Sequence, residues 1–143
     1  MQAAAKFETS RYEAKGPHGP PKTESRAEPS RAPFRGSEKA IEVCDCLIDI
    51  VSALFGISSN EIRRAGRTNL DVARVRQLAM YVAHITLSLT MKDIGVGFSR
   101  DRTTVLHACH LIEDLRDDLE FDRLVVMAER VVAAAFRNRL EAR

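Results

Sequence analysis

The chain has 143 residues, room for one folded domain and hardly for two, and at 45% apolar and 29% charged it has a soluble globular composition. No run of about 18 apolar residues offers a membrane span. Three cysteines, an odd number, and a first stretch without the apolar core of a secretory signal argue against a disulfide framework and for the cytoplasm. The net charge of +2 is unevenly spread: +3 over residues 1–37, −3 over 38–60, +4 over 61–107 and −2 over 108–143, a polarised surface suited to an anionic partner.

In chain order, residues 1–36 come first as a Pro-rich basic tail. All five prolines lie there (Pro17, Pro20, Pro21, Pro29 and Pro33), with Phe7, Tyr12 and Phe34 as isolated aromatics. Such a stretch buries too little apolar surface to offset chain entropy and is expected to be disordered. Residues 37–143 read as a helical domain. Ser37 is expected to cap a first helix whose buried stripe is Ile41, Cys44, Ile48, Val51 and Phe55, ended by Gly56. Ser58 or Ser59 caps a short helical turn that runs through Ile62 into Arg63-Arg64-Ala65-Gly66-Arg67.

Asn69 or Asp71 opens the next helix, with Val72, Val75, Leu78/Ala79, Val82 and Ile85/Leu89 inward and Arg74, Gln77, Tyr81 and His84 on another face. Thr90, with Asp93 three residues on, caps a short helix around Ile94 that Gly95 and Gly97 are expected to break. A longer helix starts near Ser99–Asp101 and turns Val105, Ala108/Cys109, Ile112 and Leu115 inward. Asp122 is expected to cap a last helix to about Leu140, with Leu124, Met127/Ala128, Val131 and Ala135 inward. The expected class is all-α, with about six helices.

Residues 90–110 carry the most information. A short capped helix, a turn and a longer helix make the layout of a helix-turn-helix, whose second helix points its first turn at base edges in the DNA major groove. That turn is Arg100-Asp101-Arg102-Thr103-Thr104, wholly polar, with more arginine than a cap needs. Arginine can grip guanine O6 and N7, aspartate can accept from cytosine N4, and a threonine methyl can pack on thymine. Helix-start amides are free for phosphate.

The run Ile94-Gly95-x2-Phe98-Ser99-Arg100-Asp101-Arg102-Thr103-Thr104-Val105-Leu106-His107-Ala108 resembles the signature of the DnaA C-terminal domain, IG-x2-FGGRDHTTVLHA. Ala73-Arg74-Val75-Arg76-Gln77-Leu78-Ala79-Met80-Tyr81 is similar to that family's ARxRQxAMYL helix, and Arg63–Arg67 stands where the family has its basic loop. The resemblance spans roughly residues 38–136 and implies a Trp-repressor-like helical domain that reads double-stranded DNA at DnaA-box (TTATCCACA-like) sites.

Carried over, the family's roles place Arg67 in the minor groove over A·T pairs, with Arg64 the alternative because of a one-residue insertion before Arg74. Arg76 and Gln77 match phosphate-contacting positions, Asp101, Arg102, Thr103 and Thr104 match the major-groove readers, and His107 matches a position near the DNA. Three departures stand out. Arg102 replaces the family's histidine, which implies a base preference shifted toward guanine. Ser99 replaces a Gly-Gly pair, a turn one residue shorter that is expected to tilt the recognition helix. His84 stands where the family often has a phosphate-binding lysine.

Other chemistries find little support. His107, Cys109 and His110 lack a second spaced pair, so no metal is expected, and Cys109 reads as a small core residue. There is no G-x4-GK[ST], G-x-S-x-G or H-E-x2-H, and no room in the tail for an ATPase module, so neither catalysis nor a cofactor is expected. Two functions remain: a stand-alone regulator of replication or transcription at DnaA-box-like sites, nucleoid-associated, or a protein-interaction module on the same fold with weak, sequence-blind DNA binding. The tail suits a protein partner. No heptad seam indicates an oligomeric state.

Overall fold

The computed structural model describes residues 37–66 and 69–141, so the expected tail, residues 1–36, lies outside the described residues. Among the described residues there are seven helices and no strand: α1 Ser37–Phe55, α2 Ser59–Arg63, α3 Leu70–Ile85, α4 Met91–Phe98, α5 Arg102–Leu115, α6 Leu119–Ala135 and α7 Arg137–Glu141. The count is seven rather than about six because the last expected helix divides at Phe136, whose φ of −102° and ψ of 9° leave the helical region. No helix among the described residues is long and apolar enough to cross a membrane.

α1 packs against α4, and α3 against α5, with α6 lying on α3 and α1. The inward arc of α1 is Ala40, Val43, Cys44, Leu47, Ile48 and Val51, all at most 1% exposed. Of the expected stripe, Cys44, Ile48 and Val51 are inside, Phe55 is only partly buried, and Ile41 is 41% exposed. The arc is rotated toward Val43 and Leu47 because both α3 and α4 must be covered.

α3 is the centre of the domain. Its cap is Asn69, whose side chain accepts from the Val72 amide at 3.1 Å and satisfies one of the orphan donors of a helix start. Its expected stripe is buried from Val72 to Val82, but Ile85 is 50% exposed, and Met80, Tyr81 and Ala83 are buried as well. The helix is therefore enclosed nearly all round through its second half, and Tyr81 is not on a polar outer face.

The Tyr81 hydroxyl reaches the edge of the core, where it donates to Glu113 Oε2 at 2.6 Å and accepts from Arg116 Nη1 at 3.0 Å. Arg116 also donates to Asp122 Oδ1 at 2.6 Å and Glu129 Oε1 at 2.8 Å, and its guanidinium lies 5.8 Å from the Tyr81 ring centroid. One half-buried arginine thus cross-braces α3, α5 and α6. Burial acts to lower its pKa, but the bonds to Asp122 and Tyr81 and the charge of Glu129 hold it above the ordinary value.

α6 differs most from expectation. Its cap is Asp118, which accepts from the Phe121 amide at 3.0 Å, and not Asp122, which is bound to Arg116. The inward residues are Val125, Ala128, Val132 and Phe136, whereas Leu124, Met127 and Val131 are 43%, 37% and 36% exposed and Ala135 is also outside. Two apolar stripes one residue apart run along this helix, and the packing against α3 and α1 selects one of them.

Candidate nucleic-acid interface

The turn between α4 and α5 is built by close backbone approach. Thr90 caps α4 as expected, its Oγ1 accepting from the Asp93 amide at 3.1 Å. Gly95 and Gly97 do not break α4; they let it touch its neighbours. A Cβ on Gly95 would stand 2.7 Å from the Arg100 carbonyl oxygen, and one on Gly97 would stand 2.6 Å from Cys44 Cβ in α1. The helix runs on to Phe98, 3% exposed, and is ended by Ser99 in the left-handed region at φ 54°, ψ 46°.

Arg100 then donates its amide back to the Gly95 carbonyl at 2.8 Å, the six-to-one bond of a Schellman motif. Ser99 thus occupies a left-handed position that suits glycine. Asp101 is the N-cap residue of α5 by backbone conformation, but its carboxylate accepts no cap hydrogen bond. On α5, Val105, Ala108, Cys109, Ile112 and Leu115 face the core as expected, and burying a residue such as Ile112 contributes roughly 1.5–3 kcal/mol.

Asp101, Arg102, Thr103 and Thr104 are all exposed at the helix start, together with the amides that a first turn leaves unsatisfied. His107 and His110 follow on the outer face, so Thr103, His107 and His110 form one row. Sequence reasoning weighed His110 only as a metal ligand; its three-residue spacing from His107 was the signal for this row. Cys109 is buried on the opposite side, and burial, followed by the charge of Glu113, pushes its thiol up to about 11.

The basic stretch lies beside this helix, at least as far as Arg64. Arg64 is exposed, and its backbone carbonyl accepts from Arg100 Nη2 at 2.7 Å, which ties the stretch to the turn before α5. Arg67 lies outside the described residues. Gln77 is half-buried, its Oε1 accepting from Arg74 Nη1 at 3.0 Å.

Arg76 is placed differently from the phosphate-contacting position implied by resemblance. It is 8% exposed, with Nε donating to the Ile62 carbonyl at 2.6 Å and Nη2 to those of Glu61 at 3.1 Å and Arg64 at 3.2 Å. Its side chain is folded under α2 and does not stand out toward a ligand. Nor does it pair with an acid of α1; Asp45 of that helix instead meets Arg63 at 3.2 Å. His84 is also turned inward, Nδ1 donating to the Leu89 carbonyl at 3.0 Å, so it ties the α3–α4 connection.

A polar helix start held out by a tight turn, with a basic stretch fastened alongside, defines the class: a helix-turn-helix domain with an adjoining basic loop. Residues 44–112 match the family model described as bacterial dnaA protein helix-turn-helix. This part of the chain is a DnaA helix-turn-helix domain, homologous to the C-terminal part of DnaA proteins.

Among its relatives, the chromosomal replication initiator protein DnaA of Lachnoclostridium phytofermentans is 37% identical over 83 residues, 57% of this chain and 18% of that protein. The one from Synechococcus sp. (strain JA-2-3B'a(2-13)) is 32% identical over 102 residues, 69% of this chain and 22% of that protein. The chain thus spans less than a quarter of the length of either relative. A solved structure of replication initiator DnaA bound to AMPPCP and single-stranded DNA shares the fold, with TM-score 0.57 and 24% identity over 65% of this chain and 28% of that one.

Proposed function

We propose that this chain binds double-stranded DNA at DnaA-box-type sites and acts there as a regulator of replication or transcription. The observation that carries the reading is the outward first turn of α5, where Asp101, Arg102, Thr103 and Thr104 are exposed together beside the carbonyl-anchored Arg64. In this reading Asp101–Thr104 read base edges in the major groove, with Arg102 drawn to guanine. Arg64 or Arg67 enters the adjacent minor groove, favoured where A·T pairs narrow it. Gln77 and His107 meet the backbone and fix orientation.

Fluorescence anisotropy of the full chain on a TTATCCACA-type duplex and a scrambled duplex, at one salt concentration, tests this. Tighter binding to the box is expected, and Thr104→Ala should relax base choice at one position at a cost of roughly 1–3 kcal/mol. Equal binding to both duplexes would refute box reading. A second reading, a protein-interaction module, is supported by the row of exposed apolar residues Leu124, Met127 and Val131 on α6. It predicts weak DNA binding, blind to sequence, that is unchanged by Thr104→Ala.

A further inference from the structure

The two arginines that resemblance or position assigned to the DNA, Arg76 and Arg100, converge on one protein atom. Arg76 comes from α3, the helix at the centre of the core, and Arg100 from the turn of the helix-turn-helix. Both donate to the carbonyl oxygen of Arg64, at 3.2 Å and 2.7 Å. Arg76 also holds the carbonyls of Glu61 and Ile62 in the last turn of α2. A five-residue helix is too short to be stable alone, and Arg76 adds a donor at the Glu61 carbonyl, which also accepts the Arg64 amide at 3.3 Å, and another at the Ile62 carbonyl beside it. The planar guanidinium supplies several donors in a fixed fork, which a lysine ammonium cannot reproduce.

The placement carries an electrostatic cost. Burial lowers the Arg76 pKa and the neighbouring positive charge of Arg100 lowers it further. Two cations are thus held close together over one backbone carbonyl.

We propose that Arg76 and Arg100 are positioning residues, a two-sided clamp on the Arg64 carbonyl that holds the basic stretch in register with the recognition helix. This rests on the DNA-binding reading above and deepens it: the clamp sets the distance between what is read in the minor groove and what is read in the major groove. It assigns to Arg76 no contact with phosphate.

The test measures the full chain against a duplex set in which each box position is varied, across a range of salt. The variants are Arg76→Met, Arg76→Lys, Arg100→Leu and Arg100→Lys, with folding checked by circular dichroism. Arg76→Met and Arg100→Leu should each lose about tenfold in preference for A·T under the basic stretch while keeping preference at the positions read by Asp101–Thr104. Arg100→Lys, which still offers one donor to one carbonyl, should recover most of it; Arg76→Lys, which cannot span three, should not. A uniform loss on all sequences with the salt slope reduced by about 1 would make Arg76 a phosphate contact and overturn the clamp.

Arg100→Leu removes a half-exposed side chain and keeps the proposal falsifiable if Arg76→Met does not fold. Amide hydrogen exchange without DNA separates the clamp from the DNA reading. If wild type shows no box preference, the DNA reading fails. Faster exchange across residues 62–66 in Arg100→Leu would still support the clamp, and unchanged exchange would overturn it.

Discussion

Replacing Gly95 by alanine tests the close approach that builds the helix-turn-helix. In an open helix interior this change stabilises by about 0.8–1 kcal/mol, because alanine loses less backbone entropy. Here the new Cβ would stand 2.7 Å from the Arg100 carbonyl oxygen, 3.5 Å from the Arg102 nitrogen and 3.6 Å from the Asp101 carbonyl carbon. All three atoms are backbone, so no side chain can rotate away. Overpacking of this kind costs about 1–3 kcal/mol. Moving Arg100 also weakens its 2.8 Å amide bond to Gly95, worth roughly another 1 kcal/mol. The penalties outweigh the entropy gain, and a net loss of about 1–3 kcal/mol is expected. At about 4–8 °C per kcal/mol for a domain of this size, the melting temperature should fall by roughly 5–20 °C. Thermal unfolding followed by far-UV circular dichroism, at matched concentration and pH, measures it. A Gly95→Ala protein that melts at or above the wild-type temperature would refute the claim that α4 and the start of α5 are in backbone contact.

Four further outcomes follow from the structure. Ser99→Gly should raise stability by about 0.5–1 kcal/mol, since an L-residue at φ 54° is strained where glycine is not; an unmoved urea midpoint would contradict the left-handed cap. Arg116→Met should cost about 1–3 kcal/mol, discounted for its partial exposure, by removing the shared donor to Asp122, Glu129 and Tyr81, and Arg116→Lys should recover only part; a loss under about 0.5 kcal/mol would remove the cross-brace. At pH 8 the exposed Cys46 should react quickly with a disulfide reagent while Cys44 and Cys109 wait for denaturant. Burial, and for Cys44 also Asp45 and Asp93, pushes Cys44 up to about 12 and Cys109 to about 11 from 9.0, so folding favours the protonated thiols. Their stabilisation is complete below about pH 9 and is lost as pH rises toward 11–12; a melting temperature flat from pH 8 to 11 would count against it.

Much of the domain was legible in one dimension because its signals are local. The caps at Asn69 and Thr90 are chemistry between residues three apart; Thr90 stands where the sequence places it, and Asn69 is one of the two caps, with Asp71, that the sequence offers for α3. The inward face of α5 was readable because only one apolar stripe runs along that helix, so period alone assigns Val105, Ala108, Cys109, Ile112 and Leu115. The outward first turn of α5 was readable from its run of polar residues.

What misled the reading depends on neighbours distant in sequence. On α6, the stripe through Leu124 and the stripe through Val125 are equally apolar, and only the position of α3 and α1 decides that Val125 is buried and Leu124 is not. Gly95 and Gly97 look like helix breakers until another backbone or Cys44 is seen to occupy the space their side chains would need. Tyr81 lies off the apolar stripe of α3 by periodicity, yet it is buried, and its hydroxyl meets Glu113 of α5 and Arg116 just past the end of that helix. Arg76 shows the division most clearly. Its motif points to a ligand outside, but three backbone carbonyls 12 to 15 residues away take its donors first. Sequence alone determined the all-helical class, most of the helices, the Thr90 cap and the polar recognition turn, since these depend on residues within one or two turns. Only tertiary structure decided which arginines face outward, because a guanidinium goes to whichever acceptors the folded chain brings within about 3 Å.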